Sequence, residues 1–322
     1  MPKENADAKG VEMMNDIRVS EATQGAAKSA GRKRLLQWLH QIVFVGPATF
    51  FFILIVLIPF FLGVYYSFTD WNGISRQINF IGIENYTHIL TKDPDFRNAF
   101  WFTVRFTVVG ILLTNLLGFV LAYVLTKPIR TRNMMRTIFF MPNMIGGLLL
   151  GFIWQFIFIR GFAAVGEATG IGLFNLPWLG DRATSFWGIV IVFVWQTAGY
   201  LMVIYISSLN NIPKDVLESA EIDGANRMQV IRHIILPLVM PAVTICLFLA
   251  ISWAFKMFDL NLALTAGGPF KATESVALDI YNEAFTNNRL GLGTAKAVIF
   301  FIIVAIITTI QVRATKSREV EM

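Results

Sequence analysis

Apolar residues fall in six long runs along the chain, near 40–68, 99–126, 135–159, 185–208, 234–258 and 294–312, with polar stretches between them. A helix needs about 20 apolar residues to cross the hydrocarbon core of a bilayer. Each run therefore predicts a membrane-spanning helix. The first contains FFILIVLIPFFLGVYYSF and the last AVIFFIIVAIITTI. Pro47, Pro59 and Pro142 are expected at span ends or kinks, because neighbouring helices can satisfy the backbone groups that a proline frees. The third and fifth runs are the least regular. Pro142, Gly146, Gly147 and Gly151 interrupt one, and Pro237 and Pro241 sit near the start of the other.

Six spans place both termini on one side, and the Lys and Arg balance says which. Seventeen of these residues flank the side that holds the termini, against eight on the other. Without the N-terminal tail the balance narrows to ten against eight, but GRKR (31–34) and KPIRTRNMMR (127–136) still mark that side as cytoplasmic. The opposite loops carry turn signals: DWNG (70–73), KDPD (92–95), LPWLGD (176–181) and TAGGP (265–269). Loops of that size often serve docking.

Composition agrees with a membrane protein. Of the 322 residues 55% are hydrophobic and only 15% charged, where a soluble domain carries about 25% charge. The net charge of +6 is a topology signal here. No basic face with interleaved aromatics suggests nucleic acid. The lone Cys246 sits in an apolar run, allows no intramolecular disulfide and reads as a small packing residue. Residues 1–34 are polar, mixed in charge, and lack the apolar core of a signal peptide. Among the histidines, Cys246 and the carboxylates no metal-ligand spacing occurs, and no nucleophile motif appears.

The polar segment between the fourth and fifth runs is more organised than a connector requires. Pro213 suits a first helical turn, and Asp215 and Glu218 lie near that start, where the helix dipole favours negative charge. Val216, Leu217 and Ala220 share a face, and Gly224 can end the helix in a left-handed conformation. Asn226 with Gln229 has capping-box spacing for a second helix that enters the fifth run. Local physics leaves two readings open, a plain cytoplasmic connector or a docking element for a soluble partner.

The same stretch resembles the coupling loop of importer-type ABC permeases. That pattern is Glu-Ala-Ala, three residues, Gly, nine residues, Ile, one residue, Leu-Pro. Here it is met by Glu218-Ser219-Ala220, Gly224, Ile234 and Leu236-Pro237, with Ser219 as the one departure. FVGPATFFFILIVLIPFFLGVYYSFTDW (44–71), FIGIENY (80–86), LTAGGP (264–269), TESVALDIYNEAF (273–285) and GLGTAKAVIFF (291–301) are similar to the maltose-type, carbohydrate-uptake branch. The resemblance implies an all-α integral membrane protein with six transmembrane helices and the type I ABC importer permease fold. It would comprise a cytoplasmic tail (1–34), a first helix and outer loop (35–97), a permease core of five helices (98–312) with its coupling loop at 209–233, and a cytoplasmic C-terminal tail (313–322).

The resemblance also implies a bacterial plasma-membrane complex that imports a sugar or oligosaccharide by ATP-driven alternating access. Its expected partners are a second permease subunit forming a heterodimer, two ATPase subunits, an extracytoplasmic solute-binding protein, membrane lipid and the sugar itself. The coupling helix, 213–223, would enter a cleft of the ATPase. There Glu218 would make polar contacts, Ser219 and Ala220 would keep the surface small, and Asp223 and Gly224 would form the turn. The chain has no GxxxxGK[ST] phosphate loop. It is therefore expected to be no enzyme and to bind no cofactor, with ATP and Mg used by the partner ATPase.

Positions matching the family's substrate-contacting segments are Gln196, Tyr200, Trp253 and Met257, and Asn115 is a further polar span residue. The competing reading is that Trp and Tyr mark the membrane interface or pack helices, and that Gln196 and Asn115 bond between helices. Lys256 and Asp259 are spaced to pair on a helix, and Arg105 and Lys296 to snorkel or pair. Gly267, Gly268 and Pro269 resemble the loop that meets the binding protein; a plain turn is the alternative. Two functions compete with sugar import: a sugar-phosphate permease of the same type, and an ion-coupled secondary transporter. The latter needs intramembrane carboxylates, and the runs carry almost none away from their ends. A membrane-embedded enzyme lacks a catalytic cluster.

Overall fold

The structure, a computed structural model, describes residues 43–317, so the expected N-terminal tail (1–34) and residues 318–322 of the expected C-terminal tail (313–322) lie outside the described residues, while 313–316 continue the last helix. The chain divides into two compact units, Met1–Gly63 and Val64–Met322, and each is described by itself. The described part of the first belongs to helix α1 (Val43–Tyr66), which contains a π-helical turn at Ile53–Leu57. Among the described residues the only β pairing is an isolated antiparallel bridge between Thr69 and Phe80.

The second unit continues with α2 (Glu84–Lys92), α3 (Pro94–Leu125), α4 (Arg132–Phe140), α5 (Gly147–Thr169), α6 (Arg182–Asn210), α7 (Lys214–Ile222), α8 (Arg227–Leu238), α9 (Met240–Phe255), α10 (Asp259–Leu264), α11 (Val276–Tyr281) and α12 (Leu290–Lys316). Five of the helices, α1, α3, α5, α6 and α12, are long and apolar enough to cross a membrane; α8 and α9, bent by 73° from each other, make a sixth if the pair is counted as one span.

Local sequence sets these boundaries. Asp93 accepts from the Phe96 amide at 2.9 Å and Pro94 occupies the first turn of α3, a combination that caps a helix start. Asp181 does the same for α6 through the Ala183 amide. Two runs differ from expectation. The third does not begin at 135. A 3-10 turn at Met141–Met144 follows α4, and Ile145 and Gly146 are extended. Pro142 lacks an amide donor and cannot continue the ladder, so the span restarts at Gly147 and carries Arg160 inside the helix. The fifth run is no straight rod. Pro237 and Pro241 flank Val239, where the chain turns between α8 and α9.

α3 and α6 form the central pair. Phe106 meets Phe193 edge-on at 5.1 Å, and the Thr114 and Thr197 hydroxyls lie 3.3 Å apart. Tyr205 donates to Asn115 Oδ1 at 2.8 Å. α9 packs on α3 and α12, burying Ala250, Ile251, Ala254 and Phe255. α5 lies against α10 so closely that a Cβ on Gly151 would stand 2.5 Å from the Ala263 Cβ. Only glycine permits that approach, which brings two interrupted segments into contact.

Candidate functional site

The segment after α6 folds as two capped helices back to back. Pro213 precedes α7, which ends in a Schellman arrangement: the Ala225 amide donates to Ala220 O at 3.0 Å and the Gly224 amide to Glu221 O at 3.1 Å. Gly224 holds φ +76°, a conformation that costs glycine little and strains other residues. Asn226 and Gln229 then close a reciprocal capping box, with bonds of 3.0 and 2.8 Å. Glu218, Ser219 and Asp223 are exposed. Ala220 is instead buried within the chain, and Leu217 packs toward Ile212, Ile235 and Val239. What α7, the turn and the start of α8 present outward are Val216, Ile222 and Met228 beside the charged residues, so Val216 does not share the inward face of Leu217 and Ala220 that the spacing predicts. Sequence reasoning missed Ile222 and Met228, whose exposure depends on which face the Leu217 anchor turns inward.

A cavity of about 350 Å³ lies where the two chain interruptions meet. Its walls include Asn143, Gln196, Trp253, Lys256, Met257 and Asp259. Gln196 Nε2 donates to Ile145 O at 3.1 Å, tying α6 to the break before α5. Gly147 packs against the Asp259 Cβ. Tyr200 sits one turn along α6 from Gln196 and braces the Trp253 ring edge-on at 5.3 Å. The structure thus brings Gln196, Trp253 and Met257 to one cavity with Tyr200 behind them. It does not bring Asn115 there. The Asn115 amide donates to Ile111 O and accepts from Tyr205, an interhelical role. Lys256 and Asp259 do not pair with each other; both line the cavity from either side of the break between α9 and α10. Asn143 was missed because it sits beside Pro142 in what the sequence presents as an apolar span.

At the other end of α10 the Gly267-Gly268-Pro269 turn is folded inward. Gly267 is buried with φ +82°, and the tip consists of Phe270 and Lys271, Phe270 being 97% exposed. Asn261, fully buried, braces the turn: its amide donates to Thr273 O and Thr265 Oγ1, and its Oδ1 accepts from the Ser275 amide. Thr273 Oγ1 donates to Gly268 O. Gly-Gly-Pro shapes the loop, and the residues after it reach outward.

Lys296 does pair, and completely. Its ammonium is buried and lies 2.9 Å from Asp93, 3.0 Å from Asp279 and 2.8 Å from Glu283. The cluster joins the start of α3, α11 with its following π-helical turn, and α12. Burial pushes the Asp279 carboxyl up to about 6, against the pull of Lys296. Burial acts in the same direction on Asp93, but the Phe96 amide and Lys296 outweigh it and hold Asp93 below the usual carboxylate range.

These features, a capped segment between spans and interrupted helices meeting at a cavity, define a membrane permease. The chain belongs to the family of binding-protein-dependent transport system inner membrane components, whose model matches residues 114–318. It is 49% identical over 280 residues to the probable starch degradation products transport system permease AmyD of Thermoanaerobacterium thermosulfurigenes, covering 87% of this chain and 95% of that one. It is 35% identical to the multiple sugar-binding transport system permease MsmF of Streptococcus mutans, covering 81% and 90%. In fold it is similar to a bacterial ABC transporter that imports the acidic polysaccharide alginate, with a TM-score of 0.75 at 18% identity over 88% of this chain and 99% of that one. The chain is a multi-pass permease subunit of an ABC importer and not an enzyme.

Proposed function

We propose that this permease carries a sugar or oligosaccharide into the bacterial cytoplasm, driven by ATP hydrolysis in two separate ATPase subunits that use ATP and Mg. A second, non-identical permease completes the pathway, an extracytoplasmic binding protein delivers substrate near the Phe270–Lys271 tip, and both termini face the cytoplasm. The observation that carries the reading is continuity. One contiguous stretch of chain runs from α7, through its turn and the bend at Val239, to Trp253 at the end of α9 and to Met257 and Asp259 just beyond it on the cavity wall. A displacement of α7 is therefore transmitted along the backbone to the cavity. The sugar class is supported by the names of AmyD and MsmF and by a lining that combines an aromatic face with amide side chains. Sugar-phosphate transport is the second reading; Lys256 on the cavity wall is what favours it.

The test is Gly224→Val in the transporter assembled with its cognate subunits in proteoliposomes, with maltotriose as probe. A β-branched residue at φ +76° costs about 1–3 kcal/mol in strain and displaces α7. Uptake should fall at least tenfold while the subunits still co-purify. Wild-type uptake together with wild-type substrate-stimulated ATP hydrolysis would show that α7 is not the coupling element.

A further inference from the structure

Lys256 and Asp259 are the two charged side chains on the wall of the cavity between α5, α6 and α9. Both are exposed, and among the described residues neither forms an ion pair. Each is accommodated by the helix end that carries it. Lys256 follows the last turn of α9, where the carbonyl end of the dipole favours a cation. Asp259 opens α10, where an acid is favoured. The break between α9 and α10 is therefore flanked by one ammonium and one carboxylate, both on the wall of the same cavity, and their hydrogen-bonding capacity is left for a guest. Charges within membrane-spanning segments are costly and mark ligand pathways by default, and helix interruptions are where transporters place such sites.

We infer that this pair selects uncharged saccharides bearing free vicinal hydroxyls, and that Asp259 excludes acidic ones. The inference rests on the sugar-import reading and narrows it. The ammonium has three donors and no acceptor, and the carboxylate only acceptors. A diol supplies both complements, its oxygens accepting from Lys256 and its hydroxyl protons donating to Asp259. The Trp253 ring, held edge-on by Tyr200, offers its apolar face to the sugar's C–H surface. Gln196 already spends a donor on Ile145, so the Lys256–Asp259 pair and Asn143 carry most of the polar recognition. A uronate or a sugar phosphate would pair with Lys256, but its charge would share the cavity with Asp259, and like charges repel. The two side chains together balance to zero, which matches a guest of zero charge. The sugar-phosphate reading of Lys256 considers only half of the pair.

The experiment compares ATP-driven uptake of maltotriose and of its aldonic acid, maltotrionate, by the complete transporter in proteoliposomes. Binding protein is supplied at a concentration that saturates it with each sugar. Because the binding protein is common to all samples, a change in the acid-to-neutral uptake ratio between variants belongs to the permease. Asp259→Asn should raise that ratio at least fivefold, and Lys256→Gln should lower it at least fivefold. Asp259→Ser repeats the first measurement with a smaller side chain. Ratios within twofold of wild type in all three variants, with maltotriose still carried, overturn the inference and leave sugar import standing. A wild-type transporter that carries maltotrionate as well as it carries maltotriose also overturns the inference, and one that carries no saccharide of a neutral mono- and oligosaccharide panel overturns both.

Discussion

Removing the Lys296 ammonium is the sharpest test of how the far end of the bundle is held. Lys296→Met keeps the length of the side chain and deletes its charge. Three carboxylates, Asp93, Asp279 and Glu283, with side chains only 8%, 5% and 9% exposed, are then left without their common cation. Breaking a buried pair by removing one partner costs about 3–5 kcal/mol. Three carboxylates sharing one cation place this case toward the upper part of that range, and protonation of Asp279, whose carboxyl burial already pushes to about 6, relieves part of it. Converted at roughly 2–4 °C per kcal/mol, the expected fall in melting temperature is about 6–20 °C. The assay is size-exclusion of the detergent-held complex after graded heating. Arg289→Gln serves as the surface control, because Arg289 touches Glu283 at 3.4 Å while mostly exposed and such pairs are worth about 0–1 kcal/mol. Adding Asp279→Asn to Lys296→Met should return part of the loss, with a coupling of about 0.5–3 kcal/mol. A Lys296→Met complex that melts within 2 °C of wild type, or a double variant no better than the single, refutes the reasoning.

Other outcomes follow from single contacts. The raised Asp279 carboxyl means that the folded state holds more protons than the unfolded one between about pH 4 and pH 6, so this group's contribution to stability declines as pH rises through that window. Melting curves of wild type and Asp279→Asn should therefore shift in the variant's favour from pH 4 to pH 6 and run parallel above it; parallel curves throughout contradict the assignment. Asn115→Ala strands the buried Tyr205 hydroxyl at a cost of about 1–3 kcal/mol. It should lower the melting temperature while the half-saturating sugar concentration in uptake stays within twofold; a change above fivefold would return Asn115 to the pathway. Gly151→Val forces α5 from α10, where even a Cβ would meet Ala263 at 2.5 Å. Overpacking of about 1–3 kcal/mol should cut uptake at least fivefold, and normal uptake would mean that this contact does not shape the cavity.

The segment between α6 and α9 was legible because its structure is local chemistry. A proline before α7, a glycine after it and the Asn226–Gln229 box each act within four residues, and all appear where the spacing places them. The third span was misplaced because hydropathy averages over Pro142 and Gly146, whereas the backbone breaks there. Lys256 and Asp259 have helical spacing, but the helix ends between them, and spacing alone does not reveal that. That Lys296 could pair was legible, but its full set of partners was not, for a different reason. Two of its partners are within one polar stretch, but Asp93 is some two hundred residues away, and nothing local marks it.

The corner at Val239 has a mechanical consequence. With α8 and α9 set 73° apart, a thrust along the first arrives at the second mostly as a sideways swing, in the manner of a bell crank. If α7 is the coupling element proposed above, a small stroke of it would then open or shut the guest chamber laterally, without driving any rod through the lipid.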